Sequence, residues 1–234
     1  LASALGDVQR LSDLRTLSTL DGRADQEFWP ARPEKPEDMR AWIAEAEELL
    51  GRAEGHRRLF ESLRDGAIPV LNGEPGDLFV ERGLGFDTNY EAWLFRVLGS
   101  FNERSETFRS EGGPLASVRK RAAFAGTLVQ RTVIDYADAW RAVQEAVAAG
   151  DRYPRLAEQG LPPQVGLIPL GPDPDSGLQE FLHLASHRGK IPVRGNDGRL
   201  VYEEKTGVIL VLVPGGDDWL GAQAKAPGER NFDP

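Results

Sequence analysis

Apolar residues along this chain repeat first at helical spacing and later at strand spacing, and the change falls near residue 160. Leu5, Val8, Leu11, Leu14, Leu17 and Leu20 recur every third residue, which predicts one apolar stripe on a helix ending at Asp21-Gly22. The spacing also suits a coiled-coil seam, but it is too short for a sustained heptad. A polar loop with Trp29-Pro30 and Pro33 follows. Pro36-Glu37-Asp38 then predicts a helix start, because proline fits the first turn and the acids face the positive end of the dipole. Met39, Trp42, Ile43, Ala46, Leu49 and Leu50, then Leu59, Phe60 and Leu63, carry that helix to Asp65-Gly66. The glycines and prolines of residues 66–87 predict an irregular connector with short extended pieces such as 77–80.

Thr88 is placed to cap a helix bearing Tyr90, Trp93, Leu94, Val97, Leu98 and Phe101. Glu111-Gly-Gly-Pro114 breaks it. Residues 115–149 read as two helices meeting near Thr132, where Thr132-Val-Ile-Asp135 resembles a capping start, and Gly150 ends the second. No repeat of 20–50 residues occurs. Beyond residue 160 the chain changes character. Leu161 to Gly171 gives a short apolar piece, Pro172 to Gly177 a turn cluster, and Leu178 to Ala185 a strand. Asn196-Asp197-Gly198, between Ile191-Pro-Val193 and Leu200-Val-Tyr202, is a hairpin signal. Val208 to Val213 is an unbroken, largely β-branched apolar run between Gly207 and Pro214, which predicts a strand buried on both faces. It is expected to pair antiparallel with a neighbour within 178–202. Two or three strands cover only part of so apolar a run, so an exposed edge is expected around Ile209 and Val211.

Composition narrows the function classes. A net charge of −9 with pI near 5.0 disfavours nucleic acid or an anionic membrane as the main partner. The Arg119-Lys120-Arg121 cluster is read as a solvated helix face. The absence of cysteine excludes disulfides, thiolate catalysis and cysteine-bound metals. No apolar window reaches the ~18 residues of a membrane span. The opening residues lack a Met and the basic start of a secretory leader, so they are not read as one. A cytoplasmic protein is expected, and the chain is read as a piece of a longer one.

The tail also carries a resemblance. Leu167-Ile-Pro-Leu-Gly-Pro-Asp-Pro-Asp-Ser-Gly-Leu-Gln-Glu-Phe-Leu-His-Leu-Ala-Ser186, then Gly198 to Gly216 and Leu220-Gly-Ala-Gln223, resemble the entry into a sulfatase-modifying-factor (formylglycine-generating enzyme-like) domain. The similarity is greatest to bacterial proteins that carry this domain behind a serine/threonine protein kinase domain. Residues 1–160 resemble, more loosely, the helical region between the two. Asp217-Asp218-Trp219 and Leu220-Gly221-Ala222 stand where the family has a Thr-Phe pair and Met-Gly-Ala. Asn231-Phe-Asp-Pro234 fits the family's loop after the first strand.

The resemblance implies a helical linker or scaffold, residues 1–160, followed by a truncated opening, residues 161–234, of an α+β domain related to C-type lectins. It implies a kinase domain before this stretch, the remainder of the domain after it, and a protein substrate. Copper and calcium are implied for the complete parent domain. The family's copper-binding cysteines have no counterpart here, and no kinase motif is present, so no catalytic, cofactor or metal residue is carried over. The expected role is a non-catalytic connector and domain-opening segment. The alternatives are the substrate-docking part of an active oxidase parent, and a ligand-display module of the same fold.

The remaining candidates have bland readings. His183 and His187, with Glu180, suit a metal on a helix, but on a strand i and i+4 lie ~13 Å apart. Glu203-Glu204 beside Lys205 could act as acid and base only in a pocket, and read as solvated. Asp173, Asp175, Asp217 and Asp218 could ligate calcium in loops but read as turn residues. Trp29, Trp42, Trp93 and Trp140 read as packing. Residues 1–160 are expected to hold at least four helices and no sheet of more than two short strands.

Overall fold

The computed structural model describes residues 2–70, 78–150 and 152–215, with side chains of the first helix from Gly6 onward. It is mainly helical with small antiparallel sheets, and it divides into compact units of residues 1–127 and 128–234. Composition turns from helix to strand near 160, whereas the spatial division falls earlier.

The first unit begins with α1 (Ala2–Gln26) and α2 (Pro36–Gly66). The expected leucine stripe on α1 is not one face. Residues three apart are rotated by about 60° from a full turn, so a strict triplet winds around the helix. Val8 and Leu11 are accordingly exposed, while Asp13, Leu17, Leu20 and Ala24, spaced by four and three, are buried. Nor does α1 stop at Asp21-Gly22. Arg23 pairs with Glu27 at 3.0 Å and Ala24 is buried, which offsets the ~1 kcal/mol that Gly22 costs inside a helix. Helix α2 keeps a strict face of Met39, Trp42, Ala46, Leu49, Ala53 and His56, and the Trp42 indole N–H donates to the Leu20 carbonyl at 3.2 Å.

Helix α3 (Asn89–Arg109) starts in a capping box: the Glu91 amide donates to Thr88 Oγ1 at 3.1 Å and the Thr88 amide to the Glu91 carboxylate at 3.2 Å. Phe101 and Phe108 of α3 join the α1–α2 core, as do Leu115 and Val118 of α4 (Pro114–Val129). Between α3 and α4 the chain turns at Gly113, where a Cβ would collide with the carbonyl oxygens of Thr107 and Phe108.

One expectation for this region fails. Ile68–Pro69 (β1), Phe79–Glu81 (β2) and Leu84–Phe86 (β3) form a three-stranded antiparallel sheet in the order β1-β3-β2. Its hairpin closes through Arg82 and Gly83, with φ of 50° and 79°. Two positive φ angles are what a two-residue turn between twisted strands needs, and arginine disguises the first of them.

In the second unit, the π-helical turn Gln130–Ile134 leads to α5 (Ala137–Ala148) and α6 (Pro154–Gln159). Thr132 does not cap a helix, contrary to the expectation. Its hydroxyl donates to the Leu128 carbonyl at 2.6 Å and accepts from the Gly166 amide at 3.0 Å, and its own carbonyl takes the Trp140 indole N–H at 2.7 Å. A second sheet follows, β4 (Leu167–Pro172), β5 (Gln179–His183) and β6 (Ile209–Val211), antiparallel in the order β4-β5-β6. Trp140 stacks on Phe181 at 5.4 Å, and Val143, Val147 and Tyr153 complete the core.

Three tail expectations are refined. The strand from Leu178 ends at His183 and passes into a 3-10 turn, Leu184–Ser186. The Asn196-Asp-Gly198 turn forms, but it closes a single bridge, Arg194 to Leu200, rather than a hairpin of two strands. Most importantly, Val208 to Val213 is not buried on both faces. The run pairs antiparallel with β5 at Glu180 to Leu182, as expected, yet Val208, Leu210, Val211 and Val213 are 53%, 42%, 46% and 70% exposed.

Candidate functional site: a strand edge and an apolar trough

The two outer edges of the second sheet differ. On β4, Pro169 and Pro172 have no N–H to offer. The Leu170 and Gly171 carbonyls accept from Arg194, from Nε at 3.2 Å and from Nη2 at 2.9 Å. The same guanidinium donates to the Gly198 carbonyl and to Glu180, both at 2.9 Å. That edge is therefore closed to another strand.

On β6 the backbone alternates. The Val208 carbonyl accepts from the His183 amide at 2.9 Å and the Leu212 amide donates to the Gln179 carbonyl at 2.8 Å, with Leu210 opposite Phe181 between them. Residues 208, 210 and 212 thus turn their polar backbone groups toward β5, and Ile209, Val211 and Val213 turn theirs outward. No described residue pairs with that side. No charged side chain lies between Thr206 and Gly216 to discourage pairing.

Beside β4 lies a trough of about 760 Å³. Ala139, Val143 and Ala146 of α5 form one wall, with β4 and residues 191–194 opposite. Gln179 also lines it. This residue is 6% exposed, its amide donates to Tyr153 Oη at 2.9 Å, and its carbonyl is taken by Leu212. Among the described residues nothing hydrogen-bonds its side-chain carboxamide.

The first unit holds a buried polar cluster. Asp13, 1% exposed, accepts from Arg52 Nη2 at 2.9 Å, Gln9 Nε2 at 2.9 Å and His56 Nε2 at 2.8 Å. Burial pushes its pKa up, but the hydrogen bonds from Arg52, His56 and Gln9 outweigh this and hold it below the usual aspartate value. The His56 ring meets Phe101 edge-on at 4.8 Å. The cluster locks α1 to α2.

The candidates read from the sequence are dispersed. His183 Nδ1 lies 3.2 Å from the Ser186 hydroxyl, while buried His187 takes the Gly207 amide on Nδ1 at 3.3 Å and leaves Nε2 without a partner among the described residues. Glu180 pairs with Arg194 instead of either histidine. Glu203 and Glu204 are exposed. Asp173 Oδ1 is occupied by the Ser176 amide at 2.7 Å, the Ser176 hydroxyl at 2.8 Å and the Asp175 amide at 3.2 Å. The bond from the Ser176 amide leads in holding its pKa low. Asp175 pairs with Arg199 at 2.6 Å. Asp173 is occupied within its own turn and Asp175 by Arg199, so the pair does not fit a calcium site. The cysteine pair that would hold copper in the family has no counterpart in this chain. Among the described residues no group of three or more His, Asp or Glu could hold a metal ion. Asp217 and Asp218 lie outside the described residues.

Trp42 and Trp140 are buried and Trp93 half-buried, but Trp29 is 68% exposed, with the Arg121 guanidinium 5.3 Å from its ring. Arg121 is also more than a solvated charge, since it donates to the Ala24 carbonyl at 2.7 Å and pairs with Asp25 at 2.8 Å. No described helix is long and apolar enough to cross a membrane.

No family model, curated protein or solved structure matches the chain. The likeness to formylglycine-generating enzyme-like proteins rests on the residues quoted for it. The Asp13 cluster, Gln179 and Arg194 were missed from sequence. Asp13 had a signal: it is in phase with Leu17, Leu20 and Ala24, a charge at a core position. Gln179 and Arg194 had none, because the Gln179–Tyr153 and Arg194–Glu180 pairings join residues 26 and 14 apart in the chain.

Proposed function

We propose that this chain is a non-catalytic helical connector and domain-opening segment of a multidomain protein similar to kinase-linked formylglycine-generating enzyme-like proteins. In this reading a kinase domain precedes it, the remainder of the α+β domain follows it, and the assembly is cytoplasmic. The observation that carries the reading is the apolar edge at β6: β5 is buried beside it, one sheet edge is closed by prolines and Arg194, and the other has no partner among the described residues. A sheet in this condition has the form of one begun here and continued by another segment.

The test is light scattering together with binding of a fluorescent apolar dye. The purified chain is expected to scatter increasingly with concentration and to bind the dye, and Val211→Lys is expected to reduce both. A monomer that binds no dye would mean the run is already covered and the domain is complete. The chain is also expected neither to transfer phosphate from ATP nor to convert a sulfatase-type cysteine peptide, and either activity would overturn the non-catalytic role.

A further inference from the structure

We infer that His187 is a pH-sensitive latch on the entry to β6: its neutral ring holds the Gly207 amide, and protonation releases residues 205–208 from the end of β5. Four hydrogen bonds tie these stretches together. The Arg188 amide donates to the Lys205 carbonyl at 3.0 Å and the His183 amide to the Val208 carbonyl at 2.9 Å. The other two use side chains: the Gly207 amide donates to His187 Nδ1 at 3.3 Å and the Val208 amide to Ser186 Oγ at 2.9 Å. The approach is so close that a Cβ on Gly207 would collide with the His187 backbone and with Ser186 Oγ.

The bond to Gly207 fixes the protonation state of the ring. Nδ1 accepts there, so it carries no hydrogen and the single ring proton sits on Nε2. Nε2 is buried and has no partner among the described residues, and the residue as a whole is 6% exposed. A second proton must go to Nδ1, where it points at the Gly207 N–H. The acceptor is then lost, two donors oppose each other, and a cation is buried without a counter-ion. Parting from Gly207 relieves all three. The charged and titratable groups around the ring do not offset this. His183 and Arg188 flank it on its own segment, and Arg188 Nη1 is spent on the Ala185 and His187 carbonyls at 3.0 and 2.7 Å. The facing segment carries Glu203, Glu204 and Lys205, and among the described residues none of them bonds the ring. On β5, Glu180 is paired with Arg194, and β6 carries no charge. His183 is not the switch. The Ser186 hydroxyl donates to the His183 carbonyl at 3.0 Å, so in its 3.2 Å contact with His183 Nδ1 the ring nitrogen is the donor in either protonation state. The latch is closed while His187 is neutral and opens as pH falls through the range in which imidazoles gain their charge, about pH 8 to about pH 5. It concerns the start of β6 rather than its outer edge, so it does not rest on the connector reading.

The experiment follows amide hydrogen exchange of the full chain across that pH range, as protection relative to an unstructured peptide at each pH, with the His187 ring resonance recorded in parallel by NMR. Protection of the Gly207 and Val208 amides should fall at least tenfold on acidification, in step with titration of the His187 ring. The Leu212 amide, bonded to the Gln179 carbonyl at the far end of the pairing, should keep its protection. His187→Asn supplies an acceptor oxygen in place of Nδ1 and cannot titrate, so Gly207 protection should stay level across the range. His183→Gln should leave the fall in place. The wild-type titration decides the matter even where His187→Asn does not fold. The proposal is overturned if Gly207 protection stays constant while the His187 ring titrates, or if the ring takes no proton by about pH 5. It is equally overturned if Leu212 loses as much protection as Gly207, if His187→Asn retains the fall, or if His183→Gln abolishes it.

Discussion

Replacing Asp13 with Asn removes the charge that three side chains of α1 and α2 converge on, and should destabilise the first unit by about 3 kcal/mol, the scale for breaking a buried pair. The pH dependence has a fixed sign. The folded pKa of Asp13 is depressed, so its contribution is complete above the unfolded value of about 3.9 and is lost as pH falls through the folded value. Wild type should therefore lose stability more steeply than Asp13→Asn below about pH 4, as urea titrations at several pH values would show. Equal slopes would mean the carboxylate is not held as described. Asp13 was legible in principle, since its phase on α1 is that of Leu17 and Leu20. The identity of its partners was not, because Arg52 and His56 lie 39 and 43 residues away.

At the scale of elements, local chemistry was most readable where a cap or a strict face defined it. Thr88 and Glu91 announce the start of α3, and Thr88→Ala should cost ~1 kcal/mol, measurable as a lower urea midpoint and faster exchange of the Glu91 amide. The face of α2 was visible because its spacing of three and four matches the helix. The triplet of α1 misled for the opposite reason. The β2–β3 hairpin escaped because Arg82 occupies a positive-φ position that ordinarily marks itself with Gly or Asn. Val208 to Val213 was read as a strand pairing antiparallel within 178–202, and Ile209–Val211 does pair with β5, but burial on both faces requires neighbours that apolar character alone cannot supply. Since Val211 is 46% exposed, Val211→Lys should change stability by no more than ~0.5 kcal/mol while lowering self-association.

For the whole molecule, the progression from helix to a short β region was legible, and the division into units at 127/128 was not, because α5 and α6 have the composition of the helices before them. The central claim rests on β6 having no outer partner among the described residues, and residue-resolved amide hydrogen exchange of the isolated chain tests it most directly. The amides of Leu210 and Leu212 face β5 and should exchange slowly, while those of Ile209, Val211 and Val213 face outward and should exchange at rates near those of an unprotected peptide. Slow exchange at all five positions in a dilute monomer would contradict the account, since it would mean that β6 already has a partner on its outer side.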